Sequence, residues 1–283
     1  LIIVTHIAEL RSRLASERGV RTIGFVPTMG ALHDGHLSLI RKAKQENDVV
    51  VLSIFVNPTQ FAPSEDLDRY PRNVERDAEL AEQAGCDIIF VPSVSEMYPE
   101  GFSTYVQVEG LSSVLEGAFR PTHFKGVTTV VLKLLNIVQP GTVYFGQKDV
   151  QQSIVIRTMV RDLDVPVRID VVPTMREPDG LAMSSRNVYL DPVRRKNAPV
   201  LYAALQHASA MISAGERDPR AVIGAMERMI TEKEPTQVDY ITIVDAGTLA
   251  EKHTLSAGET VVIPLAVRFG TTRLIDNIVI SIP

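Results

Sequence analysis

Apolar positions along the first part of the chain follow two alternating rhythms. Short unbroken runs occupy 23–26, 49–56, 88–91, 142–145 and 167–172, and between them lie 37–46, 73–84, 127–138 and 150–162, where apolar residues recur at helical spacing. Unbroken apolar runs of this length suit strands buried on both faces, and the intervening helices suit crossover connections. The pattern predicts an α/β fold built on a Rossmann-like parallel sheet. After Pro173 the rhythm changes. Glu177-Pro178-Asp179-Gly180 reads as a turn, helical stretches cover 192–214 and 219–233, and strand-like segments follow at 238–244, 260–269 and 274–282. Period-two character in these last segments predicts a smaller α+β C-terminal domain, with the loop 183–187 on its inner edge.

Ligands of an open parallel sheet gather beyond the carboxyl ends of its strands. Three loops leave such ends, at 27–36, 57–61 and 146–149. The richest is Pro27-Thr28-Met29-Gly30-Ala31-Leu32-His33-Asp34-Gly35-His36, which leads into a helix marked by Leu37, Leu39, Ile40 and Ala43. The first turn of a helix offers unpaired N–H groups and the positive end of the dipole, so it attracts phosphate, here beside two imidazoles. A P-loop is excluded, because His36 and Leu37 stand where Lys and Ser or Thr are required. No G-x-G-x-x-G fingerprint follows the strand. A metal pair at His33 and His36 lacks further ligands, since His6, His123, His207, His253 and Cys86 are scattered. Two readings stay open at this point. In one, Asp34 is an ordinary helix N-cap and the histidines sit at a polar helix end. In the other, the segment is an H-x-G-H nucleotidyl-transfer turn, with Gly35 admitting a phosphate to the backbone and the imidazoles donating to it.

Composition narrows the function classes. A chain of 283 residues with 45% hydrophobic and 22% charged residues has room for two domains and a sizeable core. A net charge of −5 without a long basic run argues against nucleic acid as the main partner. The densest cationic cluster, Arg194-Arg195-Lys196, reads as a solvated helix face. The single cysteine, Cys86, forms no internal disulfide, suits a reducing compartment and sits at the entry to a buried strand rather than in a nucleophilic setting. The run 49–56 is too short to span a bilayer. The N-terminal segment has no signal-peptide core, so a cytoplasmic location is expected, and Leu1 in place of an initiator Met implies processing or trimming.

Four segments in order carry a resemblance: residues 27–36; Ser53-Ile54-Phe55-Val56-Asn57-Pro58-Thr59-Gln60-Phe61; Gly146-Gln147-Lys148-Asp149-Val150-Gln151-Gln152; and Met183-Ser184-Ser185-Arg186-Asn187. On these the chain resembles the pantothenate synthetase (pantoate–β-alanine ligase) family, of the H-x-G-H nucleotidyltransferase superfamily, from its first residues nearly to its last. The resemblance implies ATP- and Mg2+-dependent condensation of (R)-pantoate with β-alanine through a pantoyl-adenylate, giving pantothenate, AMP and pyrophosphate. It implies a Rossmann-like ATP- and pantoate-binding domain over 1–173 and a smaller α+β domain over 174–283 that closes over the ATP site. ATP would be met by Met29, Gly30, Ala31, Leu32, His33, Asp34, Gly35, His36, Gly146, Gln147, Lys148, Asp149, Met175, Met183, Ser184, Ser185 and Arg186. Among these, His36, His33, Lys148 and Arg186 are the implied catalytic residues. Gln60 and Gln152 would grip pantoate, with Val127, Val130 and Val131 as an apolar wall for its methyl groups. Protein ligands for Mg2+ are not assigned. The implied partners are small-molecule substrates and a second copy of the chain, with no nucleic acid and no membrane.

These assignments agree with elementary chemistry. Amide formation from a carboxylate needs a leaving group, and adenylation supplies AMP in that role. Attack by an ionised carboxylate needs no base, so the imidazoles are expected to stabilise charge rather than remove a proton. Paired hydroxyls and a guanidinium at 184–186 suit a departing pyrophosphate. Amides that both donate and accept suit the hydroxyls and carboxylate of pantoate. Two other functions share the fold class: nucleotidyl transfer to a phosphorylated acceptor, and non-catalytic nucleotide sensing. Gln60 and Gln152 speak against the first, because a phosphate acceptor calls for added cations. His33, His36, Lys148 and Arg186 speak against the second. The polar stretch 62–70 is a candidate lid, or an ordinary surface loop.

Overall fold

The computed structural model describes residues 1–62 and 67–283. By internal contacts the chain divides into two units, Leu1–Gly146 with Gln152–Pro173, and Gln147–Gln151 with Thr174–Pro283.

The first unit is built on six parallel strands: β1 (Ile2–Val4), β2 (Ile23–Thr28), β3 (Val49–Ile54), β4 (Ile88–Phe90), β5 (Thr142–Gly146) and β6 (Arg168–Val172), in the spatial order β1-β4-β3-β2-β5-β6. The helices are α1 (Ile7–Ala15), α2 (Asp34–Glu46), α3 (Val74–Gln83), α4 (Val94–Met97), α5 (Glu116–Phe119), α6 (His123–Val138) and α7 (Val150–Asp162). Alternate residues of each strand face opposite sides, and both sides are covered. Phe25, Val49, Val51, Phe90 and Val143 pack with α1 and α6, whereas Val26, Val50, Leu52, Ile89 and Tyr144 pack with α2 and α3. This explains why the strands read as unbroken apolar runs. Leu37, Leu39, Ile40 and Ala43 form the buried stripe of α2, as their spacing predicts. Edge strand β1 and helix α1 are additions to the expected pattern. β1 is only three residues long, and two of them are exposed, so its apolar signal is weak.

The second unit holds an antiparallel sheet of β7 (Gln237–Ile241), β8 (Val244–Asp245), β9 (Thr260–Phe269) and β10 (Thr272–Ser281), ordered β10-β9-β7 with β8 also paired to β9. Helices α8 (Pro192–Asn197), α9 (Val200–Ser213) and α10 (Pro219–Thr231) accompany it. Leu201, Leu205, Ile212, Val222, Met226 and Ile230 share one core with Ile263, Leu265 and Val267. The stretch 192–214, helical throughout by spacing, is broken between α8 and α9. Pro199 stands at the break, and it has no N–H to continue the ladder.

Candidate active site

The histidine turn leaves β2, between the two strands from which the chain runs outward in opposite directions, where an open sheet offers a crevice. Thr28 Oγ1 donates to the Ser53 carbonyl at 2.7 Å and accepts the Gly30 N–H at 3.1 Å, closing the strand end. Gly30 and Ala31 then take positive φ, 83° and 52°. A Cβ on Gly30 would lie 2.9 Å from both Asp77 Oδ2 and Ile54 Cγ2, so glycine is required for space as well as conformation. Asp77, on α3 and only 2% exposed, accepts the N–H groups of Ala31 at 2.9 Å and Leu32 at 2.8 Å.

His33, not Asp34, is the N-cap of α2. Its Nδ1 accepts the Gly35 N–H at 3.1 Å, and its own N–H reaches His36 Nδ1 at 3.4 Å, a reciprocal cap made by two imidazoles. The His33 carbonyl accepts from His36 and Leu37. In the first turn of α2 the N–H groups of Gly35, His36 and Leu37 thus all go to His33, while Thr28 and Asp77 take those of Gly30, Ala31 and Leu32 in the turn before it. Because each Nδ1 accepts a backbone N–H, the neutral rings carry their hydrogen on Nε2 and are donors there. The ring centroids lie 4.2 Å apart. Asp34 is exposed, and Gly35 lies in the first turn of α2.

After β3 the chain enters a 3₁₀ turn, Pro58–Gln60, capped by Asn57. Asn57, 1% exposed, donates to Gln60 Oε1 at 3.1 Å and to the Gly126 carbonyl at 3.2 Å. Its Oδ1 accepts from Thr59 Oγ1 at 2.9 Å and Tyr98 OH at 2.8 Å. Burial holds the Tyr98 phenol above its ordinary range, so it remains a donor. Gln60 Nε2 lies 2.9 Å from Met29 Sδ, which brings the candidate pantoate residue against the candidate ATP turn. His123 Nδ1 lies 2.9 Å from the Gln60 carbonyl, and Arg120 donates to the same oxygen at 3.3 Å. Helix α6 approaches this turn so closely that a Cβ on Gly126 would sit 2.4 Å from the Thr59 carbonyl oxygen. Gln152 is half-buried on α7. Val127, Val130 and Val131 are buried in the sheet–helix core.

Gly146 ends β5, and Gln147–Asp149 form a 3₁₀ turn in the second unit. Lys148 is half-buried there, and Asn277 on β10 donates to the carbonyls of Gln147 and Lys148, at 2.9 Å each. In the same unit the Met183 N–H donates to the Met175 carbonyl at 3.0 Å, and Arg176 bridges to Ala182. This pairing sets the two methionines side by side at the base of the 177–180 turn. Met175 is 40% exposed. Ser184 caps the 3₁₀ segment Ser185–Tyr189 by accepting the Arg186 N–H at 3.2 Å. Asn187 anchors the segment to Glu177 at 2.9 Å and to the Ala182 carbonyl at 3.1 Å.

The family model described as pantoate–β-alanine ligase matches residues 2–279. The chain belongs to the pantoate–β-alanine ligase family. The pantothenate synthetase of Moorella thermoacetica is 57% identical over 98% of this chain and 97% of its own length, and that of Herpetosiphon aurantiacus is 54% identical over 98% and 99%. The crystal structure of the pantothenate synthetase from Thermus thermophilus matches with a TM-score of 0.92 at 50% identity, covering 98% of this chain and 99% of that one. The pantoate–β-alanine ligase of Francisella tularensis, solved in complex with β,γ-ATP and β-alanine, matches with a TM-score of 0.82 at 38% identity, covering 98% and 97%.

Membership of the pantoate–β-alanine ligase family accounts for the four segments quoted from the sequence, but not for the residues that hold them in place. Asp77, Tyr98, Gly126 and Asn277 carry no local signal, because each meets a partner distant in sequence. Asn57, inside the second quoted segment, has a local signal as a capping residue before Pro58. The candidate lid 62–70 includes 63–66, which lie outside the described residues. Cys86 is buried, and burial pushes its thiol up to about 12, which leaves it a packing residue rather than a nucleophile.

Proposed function

We propose that this ligase joins pantoate to β-alanine in two displacements, with the residues above in defined roles. A pantoate carboxylate oxygen attacks the α-phosphorus of ATP, and the bond to pyrophosphate breaks. The β-alanine amine then attacks the acyl carbon of the pantoyl-adenylate, loses a proton, and AMP departs. Met29–His36, Gly146–Asp149, Met175 and Met183–Arg186 receive ATP. His33 and His36 donate through Nε2 to the phosphate on which charge accumulates, Lys148 supplies a fixed cation, and Ser184, Ser185 and Arg186 hold the departing pyrophosphate.

Gln60 and Gln152 bind pantoate. The observation that carries this reading is the Asn57–Gln60 amide pair set against Met29. A phosphorylated acceptor would call for cations in place of the Asn57 and Gln60 amides, which match hydroxyls and a carboxylate; the neighbouring Arg120 and His123 meet the Gln60 main-chain carbonyl, not its side chain. A thioether is a weak acceptor, so the Gln60 Nε2–H groups pass readily to pantoate.

Among the described residues no three His, Cys, Asp or Glu side chains gather to hold a metal. In this reading Mg2+ is carried by triphosphate oxygens and water, where the ion would neutralise phosphate charge. The same reading includes a homodimer in the cytoplasm. Among the described residues no helix is long and apolar enough to cross a membrane.

Pyrophosphate exchange tests the assignment. Label from pyrophosphate should enter ATP only when pantoate is present, and equal exchange with unrelated carboxylic acids would overturn the acceptor. His36→Ala and Lys148→Ala should each slow exchange about a hundredfold or more. Wild-type rates in both would refute their roles.

A further inference from the structure

Asn277 lies near the middle of β10 and is 1% exposed. Its side-chain amide reaches backbone that is remote in sequence, with one Nδ2 hydrogen for the carbonyl of Gln147 and one for that of Lys148. An asparagine has two such hydrogens, and both are used. The rotamer is unambiguous, because the flipped amide would set Oδ1 against two carbonyl oxygens. Oδ1 itself is buried and has no partner among the described residues. An orphaned acceptor is costly, and a smaller or apolar residue would avoid it, so the two donated bonds are what asparagine supplies here.

The support beneath Asn277 is itself rigid. Its N–H donates to Asp276 Oδ1 at 2.7 Å. Asp276 takes both Arg176 amino groups, at 2.6 Å and 2.9 Å. Arg176 lies over the Tyr202 ring at 3.6 Å and donates to the Gly180 carbonyl at 3.1 Å. A three-residue 3₁₀ turn such as Gln147–Asp149 has little internal hydrogen bonding to fix it. Asn277 supplies the missing constraint at the two residues that set the direction of the Lys148 side chain.

We infer that Asn277 is a positioning residue for Lys148: it clamps the turn beneath the lysine so that the ammonium is held where the phosphate charge develops. The inference rests on the phosphate role proposed for Lys148.

The test is a double-mutant cycle read by single-turnover pantoyl-adenylate formation at saturating ATP and pantoate. Asn277→Ala should slow adenylation about tenfold to a hundredfold in the wild-type background. Asn277→Asp, which is isosteric but turns a carboxylate toward two carbonyls, should slow it further. In a Lys148→Ala background, Asn277→Ala should change the rate by less than about twofold, because the group it positions is already gone. The KM for pantoate should stay within about twofold in the single variant.

Equal slowing in both backgrounds would show that Asn277 serves the fold alone and would overturn the inference. A Lys148→Ala enzyme at wild-type rate would instead remove the phosphate role of the lysine, a separate failure. Should Asn277→Ala not fold, Asn277→Ser, which keeps one donor, enters the same cycle with the same criterion.

Discussion

Asp77→Asn is the most incisive perturbation of the histidine turn. The carboxylate accepts two backbone N–H groups, from Ala31 at 2.9 Å and Leu32 at 2.8 Å, from a nearly fully buried position. Bonds to a charged acceptor contribute about 1.5–3 kcal/mol each. They oppose the left-handed conformation of Ala31 (φ 52°), which costs an L-residue about 1–2 kcal/mol. Asparagine preserves the shape but offers one acceptor and one donor, so one of the two N–H groups then faces an NH2. The remaining bond, now to a neutral oxygen and worth about 1 kcal/mol, is outweighed by the strain together with the buried N–H left facing the NH2, which costs about 1–3 kcal/mol. The turn ceases to be held in one conformation, and the ATP-competent fraction falls by about tenfold to a hundredfold. Pyrophosphate exchange across a range of ATP concentrations should therefore show KM for ATP raised by that factor, and urea unfolding should show a lower midpoint. An unchanged KM for ATP, with or without a lower midpoint, would refute the claim that Asp77 sets the turn.

Two further outcomes follow from perturbed ionisation. Hydrogen bonds and charge from Lys42, together with Tyr144 OH at 2.8 Å and Arg168 at 2.9 Å, hold the Glu46 carboxyl at about 2, below its ordinary 4.5. A depressed folded-state value gives stability that is present above 4.5 and lost as pH falls toward 2. The urea-midpoint advantage of wild type over Glu46→Gln should accordingly be constant near neutrality and vanish across that window; an advantage that persists below it would be incompatible with the pairing. Cys86, its thiol raised to about 12 by burial, should resist iodoacetamide in the native protein at about pH 8 and react once urea unfolds the chain. Rapid native alkylation, seen by mass spectrometry, would contradict that burial.

The α/β architecture was legible because a two-sided parallel sheet leaves unbroken apolar runs, and the candidate loops could be placed because they follow those runs. Edge strand β1 was not, since a short edge buries too little to leave a pattern. The histidine pair could be read as a candidate site, but not as its own cap; that arrangement depends on φ and ring rotation, to which spacing is blind. Asp77 and Asn277 were invisible for a different reason. Each is a polar residue in a helix or strand whose partners lie far along the chain, and such pairings exist only once the fold has brought them together. Pro199 was visible as a residue, yet the apolar period continues past it and hides the break between α8 and α9.

β2 and β3 are interior strands, flanked on both sides and covered on both faces, and their outgoing ends carry the histidine turn and Gln60. Amide protons in such strands exchange with solvent only when the whole unit opens. Fraying at the rims, β1 or β6, thus leaves the histidine turn and Gln60 undisturbed, and a weakened core at Val50 or Leu52 reaches them only by lowering the population of intact molecules. A variant that loses turnover while its slowest-exchanging amides keep their protection has been damaged at the turn itself, which separates injury to the chemistry from injury to the scaffold.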